Sequence, residues 1–272
     1  FYDYQINISK KIINQIDKKW ASIDRWFRTM LHLDNNYPSF NDGSISASPK
    51  YESIDNYVKK LRLSKKTYHN HKTKNLYLKD SGFISSENQK YKLIYNVGSA
   101  SPSYQPGHSH SESLSFEVSI PNQRIIVNSG TSTYEKNEQR LLERSIKSHN
   151  CLSINDENCT EIWSSFRVAR RPNINKIKIS QMENSTVFSA EHDGFNRKNG
   201  IYRYSRKILL DENSFHIKDI IDGRYKQKIE SRIFLHPKCK IEKKSGCFFL
   251  ILDGKSIATF HSTDTHINII DT

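Results

Sequence analysis

Pro106-Gly107-His108-Ser109-His110-Ser111-Glu112-Ser113-Leu114-Ser115-Phe116-Glu117-Val118-Ser119-Ile120 is a loop that becomes a strand. Pro106-Gly107 marks a turn. From Ser113 polar and apolar residues alternate, which predicts a half-buried strand over 114–120. In extended backbone, residues two apart face the same side. His108 and His110 therefore share one side at the mouth of that strand, where a loop meets a rigid sheet. The arrangement suits a metal ligand beside a catalytic imidazole.

The same period of two runs through most of the chain. Further strands are expected at 82–85, 91–97, 123–128, 150–154, 174–181, 186–192, 202–210, 214–221, 229–235, 238–243, 247–252 and 256–261. Turn residues such as Pro121-Asn122, Asp211-Glu212-Asn213, Asp222-Gly223 and Asp253-Gly254 separate them. Many short strands at regular spacing predict a mainly β protein, an antiparallel β-sandwich, and no repeat period emerges. The N-terminal part differs. Ile12, Ile13, Ile16, Trp20, Ile23, Trp26, Phe27, Met30 and Leu31 recur at three- and four-residue steps, predicting an amphipathic helix over 8–32 with Ser9 as its cap. Pro38 disfavours helix just beyond it. A shorter helix is expected over 53–63 and a polar linker over 65–74. The division expected is 1–66, helical, and 67–272, β.

The chain has 272 residues with a formal net charge of +13, 35% hydrophobic and 11% aromatic residues. That length buries a sizeable core, and fourteen tyrosines with thirteen phenylalanines suit sheet. The charge suits an anionic partner. The basic residues are dispersed, with no helix-turn-helix or zinc-finger spacing, so nucleic acid is not expected. Cys151, Cys159, Cys239 and Cys247 lack a C-x-x-C spacing and read as free thiols, with hairpin disulfides the alternative in an oxidising compartment. No apolar run is long enough to span a bilayer. The sequence opens at Phe1 without Met or a signal segment, so a piece of a longer protein is expected.

Other polar residues cluster near the two histidines along the chain. Ile125-Ile126-Val127-Asn128 ends a strand that is the natural hairpin partner of 114–120, so Asn128 is expected near His110. Tyr134, Arg140, Arg144 and His149 follow. Trp163 and Phe166 read as structural, and His192 and His236 as core or turn histidines.

Taken in order, Pro-Gly-His-x-His-x-Glu-x-Leu-Ser-Phe-Glu (106–117), Ile-Val-Asn-Ser-Gly-Thr-x-x-Tyr (126–134), Arg-Ser-x-x-x-His-Asn (144–150) and Phe-Arg-Val-Ala-Arg-Arg (166–171) resemble the C-terminal region of heparinase II/III-type polysaccharide lyases, with alginate lyases as relatives. The resemblance implies a supersandwich preceded by the last helices of an (α/α) toroid, the 8–32 helix among them. Its own N-terminal toroid would be a partner that supplies further catalytic side chains.

The resemblance also implies β-elimination on a uronic-acid-containing polysaccharide. Neutralising the sugar carboxylate stabilises the enolate-like transition state. A base removes the C5 proton and an acid protonates the departing O4. By this likeness His108 and Tyr134 are catalytic, and Arg140 and Arg144 bind sugar carboxylates or sulfates. His110, Asn128 and His149 fall at the ligand positions of a structural zinc. Asn128 stands where relatives carry Asp, and an amide oxygen is the weaker ligand. An acidic polysaccharide is the implied partner, and a bacterial periplasmic or secreted location follows. The alternative reading is a non-catalytic sandwich that binds acidic glycans.

Overall fold

The structure is a computed structural model and describes residues 10–44, 47–60, 75–196, 201–224, 228–245, 247–262 and 269. Helix α1 (Lys10–Met30) and helix α2 (Tyr51–Lys60) precede the sheets. The expected cap Ser9, the end of the 53–63 helix and the 65–74 linker lie outside the described residues.

The quoted stretch enters a five-stranded antiparallel meander. Its strands are β1 (Asn75–Leu78), β2 (Phe83–Glu87), β3 (Lys92–Asn96), β4 (Phe116–Ile120) and β5 (Gln123–Ile126), in that spatial order. Short strands β6 (Leu152–Ile154), β7 (Ile162–Ser164) and β8 (Arg167–Val168) follow helix α3 (Glu138–Arg144) and a 3-10 turn at Ile146–Ser148. A second, four-stranded sheet holds β9 (Ile174–Gln181), β10 (Thr186–His192), β11 (Ile201–Leu210) and β12 (Phe215–Gly223). β13 (Ile229–Ser231) pairs with β6, and β14 (Cys239–Lys244), β15 (Cys247–Leu252) and β16 (Lys255–Phe260) form a three-stranded sheet. The strand expected over 229–235 stops at Ser231; beyond it Leu235 makes a single bridge to Ile126.

The apolar faces of the two larger sheets meet. Leu93, Tyr95, Phe116 and Val118 of the first sheet share one buried cluster with Phe188, Ala190, Tyr204 and Ile208 of the second. β3 breaks the alternation because all five of its residues are buried. Its other face is covered: Ile94 packs with Met30 and Phe40, and Trp26 and Phe83 lie against them. A strand buried on both sides reads as a continuous apolar run. Polar contacts fix the cover in place. His32, just past α1, sets Nδ1 3.0 Å from Ser119 Oγ and Nε2 3.1 Å from Glu117. Trp26 Nε1 donates to Ser81 at 3.0 Å. The four cysteines are free.

Candidate active site

The site is assembled where four chain segments meet over one edge of the first sheet. The first is a tight turn at Asn41-Asp42-Gly43, closed by Gly43 N–H donating to Phe40 O at 2.9 Å, with Asn41 in the left-handed region at φ 52°. The second is the 108–112 loop, held by its backbone. Asn41 Oδ1 accepts from His110 N–H at 3.0 Å, and Ser111 N–H donates to Arg144 O at 2.9 Å. The third is 128–131. There Gly130 has φ 62° and lies so close to the first turn that a Cβ would sit 2.2 Å from Gly43 O. Only glycine meets both demands. The fourth is α3 with His149 beyond it.

Asp42 is the hub. Its Oδ2 lies 2.6 Å from His108 Nδ1 and its Oδ1 2.7 Å from His110 Nε2. Arg140 adds a fork, with one guanidinium nitrogen on Oδ1 and the other on Oδ2 at 2.8 Å. Burial alone would raise the Asp42 pKa, but hydrogen bonds from His110, Arg140 and His108 hold it far below the usual carboxylate range. Asp42 is thus an anion that only accepts. Both facing imidazole nitrogens must then carry hydrogen, so in the neutral tautomers the lone pairs fall on the opposite nitrogens, His108 Nε2 and His110 Nδ1.

A second cluster lies deeper. His110, Glu112 and His149 are buried, and one ligand atom from each falls within 4.8 Å of the others. His110 Nδ1 is buried without a hydrogen-bond partner among the described residues. Glu112 Oε1 accepts from Asn41 N–H at 2.9 Å and Asn96 Nδ2 at 3.2 Å. Its Oε2 accepts from Asn128 Nδ2 at 2.5 Å and lies 3.5 Å from His149 Nδ1. Asn128 Oδ1 is 2.6 Å from His149 Nδ1. Burial pushes Glu112 up to about 8, lowers His110 and lowers His149 well below its ordinary value. Two neutral imidazoles and a glutamate that gives up its proton on binding are a donor set that a divalent cation such as zinc accepts. The three residues form a possible metal-binding cluster.

The mouth is aromatic. The His108 side chain is 51% exposed. Its ring stands edge-on to Tyr134 and Phe166, with centroids 6.3 and 6.0 Å away. Tyr134 and Phe166 stack at 5.8 Å, and the Arg140 guanidinium lies 5.2 and 5.4 Å from their ring centres. Such a platform offers flat apolar faces and a phenol.

The structure brings His108, His110, Asn128, Tyr134, Arg140 and His149 into this one region. Arg140 and Arg144 were expected to bind sugar carboxylates or sulfates. Both are fully buried. Arg140 is occupied by Asp42 and by Thr131 Oγ1 at 2.7 Å. Arg144 donates to Ser109 O at 2.8 and 3.0 Å and to Ser164 O at 2.5 Å. Their forks fasten the histidine loop instead of facing solvent. Three participants escaped the sequence reading. Asp42 was given no role, although Asn41-Asp42-Gly43 is the kind of tight turn that can present a carboxylate. Glu112 lay within the decisive stretch without a role. Phe166, read as structural, is 43% exposed and lines the mouth.

The sequence profile of the family described as heparinase II/III-like, C-terminal, matches residues 71–272. Among solved structures, a heparinase III is similar at 15% identity and a TM-score of 0.64, over 90% of this chain and 40% of that one. The heparan sulfate lyase HepC from Pedobacter heparinus aligns at 14% identity and a TM-score of 0.61, over 82% of this chain and 37% of that one. The heparinase III that is the BT4657 gene product aligns at 18% and 0.63, over 83% and 36%. The chain thus spans two fifths or less of the length of each of these proteins. No curated protein matches it by sequence.

Proposed function

Because the chain belongs to the heparinase II/III-like C-terminal family, we propose that it is the sandwich portion of a polysaccharide lyase that cleaves an acidic, uronic-acid-containing glycan by β-elimination. The observation that carries this reading is the half-exposed His108 held by Asp42 beside Tyr134. With Asp42 ionised, His108 keeps its hydrogen on Nδ1 and offers the Nε2 lone pair at the mouth. A neutral imidazole with a free lone pair is fit to take the C5 proton. The imidazolium that forms would be stabilised by the same carboxylate, in the manner of an Asp-oriented histidine in a hydrolase triad. Tyr134, whose ring stands edge-on to His108, is the candidate donor to the departing O4. The flat face it shares with Phe166 would orient the sugar. Arg140 holds Asp42 in place, and Arg144 fixes the Ser109 carbonyl between the two histidines.

His110, Glu112 and His149 would hold a zinc ion, with the Asn128 amide beside them. When bound, that ion would brace the loop and hold Glu112, which burial otherwise pushes up to about 8, in its ionised form. We place the complementary catalytic side chains on an upstream toroid, in keeping with the division at 66/67. We place the whole enzyme in the bacterial periplasm or outside the cell, where acidic polysaccharides lie.

The test is the full-length protein incubated with heparan sulfate, alginate and polygalacturonate, read by the ultraviolet absorbance of the unsaturated uronate product. Absorbance should rise on at least one polymer. His108→Ala should abolish the rise, and Tyr134→Phe should reduce it by about 100-fold or more, the usual worth of a positioned acid or base. Binding without any absorbance change on all three would leave the non-catalytic glycan-binding reading in its place.

A further inference from the structure

A groove of about 550 Å³ opens beside this site, between the 99–103 loop and the segment that follows β8. Ser101, Ser103, Arg170, Arg171, Asp193 and Asn196 are among its lining. The lone acidic residue of that lining is already capped, since Asp193 accepts from Asn173 N–H at 2.7 Å and Asn173 Nδ2 at 2.8 Å. Arg171 is anchored: one guanidinium nitrogen donates to Ser101 Oγ at 3.0 Å and to Pro102 O at 3.1 Å. The anchor fixes the plane of the fork. Arg170 is exposed and has no ion pair among the described residues. The groove therefore presents two guanidinia against one capped carboxylate, together with serine hydroxyls, which is a lining for an anion.

Both walls of the groove continue into the candidate active site. The 99–103 loop runs on through Gly107 to His108. The opposite wall, which begins at Ala169, follows three residues after Phe166, which stacks with Tyr134. Between groove and site the two segments touch, since a Cβ at Gly107 would lie 3.4 Å from Phe166 O. Arg170 is four residues from Phe166, so it stands at most about 14 Å away by chain reach.

We propose that this groove is an anion subsite, in which Arg170 and Arg171 grip a carboxylate or sulfate of the same acidic glycan a few sugar units from the bond presented to His108. The proposal rests on the acidic-glycan reading above and extends it along the chain of the substrate.

The experiment measures binding of octasaccharides and disaccharides prepared from heparin, alginate and polygalacturonate to the full-length protein. Wild type is compared with Arg170→Ala, Arg170→Lys and a control in which the exposed Lys240 and Lys255 of the β14–β16 sheet are both changed to Ala. Arg170→Ala should weaken the octasaccharide that binds best by at least tenfold and leave its disaccharide unchanged. Arg170→Lys should restore part of the loss, and the lysine control should move neither. An Arg170→Ala effect no larger than that of the lysine control overturns the proposal, as does a wild-type protein that binds none of the octasaccharides. If nothing is cleaved but the Arg170-dependent binding persists, the lyase reading fails and the subsite stands. If cleavage is seen and octasaccharide affinity ignores Arg170, the reverse holds.

Discussion

The Asn128 amide donates to the Glu112 carboxylate at 2.5 Å. Its oxygen meets His149 at 2.6 Å, so the amide links an acid to an imidazole by hydrogen bonds alone. An aspartate there would set two buried carboxylates side by side and call for a cation between them. Asn128→Asp should therefore tighten zinc at least tenfold in a chelator competition and make the melting temperature more sensitive to EDTA than that of wild type. The metal-stripped variant should lose about 1–3 kcal/mol, the usual cost of an uncompensated buried polar group. Unchanged zinc affinity would mean that position 128 is not a ligand position.

Asp42 joins His108, His110 and Arg140, and its loss is felt in all three. In Asp42→Asn the buried Arg140 keeps its charge and loses its counter-ion. Breaking a buried pair in this way costs about 3–5 kcal/mol. Cleavage should fall by more than 100-fold, because nothing then fixes the hydrogen of His108 on Nδ1. Unfolding curves and product absorbance, taken at a temperature where the variant is folded, separate the two effects. Near-wild-type turnover in a folded Asp42→Asn protein would remove Asp42 from the catalytic geometry.

Gly130 lies in the left-handed region against Gly43 O. In Gly130→Ala the methyl group must push the 41–43 turn away, and with it Asp42. We expect a drop in melting temperature of several degrees and a larger loss in kcat than in KM. Neighbouring Ser129→Ala should do neither.

Acid should weaken the fold from mildly acidic pH downward. His192 is buried against Phe195 and Tyr204, with ring centroids at 5.3 and 4.8 Å. Burial is the leading cause that lowers it to about 3. The unfolded chain protonates this imidazole near 6.5 and the folded one only near 3. Between those values the unfolded state binds the extra proton, so stability falls as pH falls. The contribution is complete above about pH 6.5 and declines by up to about 1.4 kcal/mol per pH unit below it. Urea unfolding at pH 7 and pH 4.5 measures it. His192→Gln should flatten the difference, and an equal slope in the variant would show that other groups carry it.

The sequence was most legible where strands lie between clear turn signals. Strands expected at 174–181, 186–192 and 247–252 match β9, β10 and β15 in the structure, since turn residues such as Pro172-Asn173, Asp193-Gly194 and Asp253-Gly254 bound them. It was least legible in α3. Glu138–Arg144 has Leu141 and Leu142 exposed and Arg140, Glu143 and Arg144 buried. This is amphipathicity in reverse, which a hydrophobic period cannot detect. β1, β7 and β8 have two to four residues each and give no period to read. Within the site, the order of His108, His110 and His149 along the chain was informative because each falls at a strand mouth. Asp42 was not, since a turn signature states that the chain reverses without saying what its side chain meets 66 residues later.

The cover over β3 has a practical consequence for anyone expressing this protein. The recognisable family signature starts at residue 71, yet His32, Met30, Phe40 and Asp42 come before it. A product trimmed to that signature would bare Ile94 and Phe83 to water, strand Glu117 without its imidazole, and leave two histidines with no acid between them. A product for expression should therefore carry α1 as well, and shorter versions should be sought in inclusion bodies rather than in the soluble fraction.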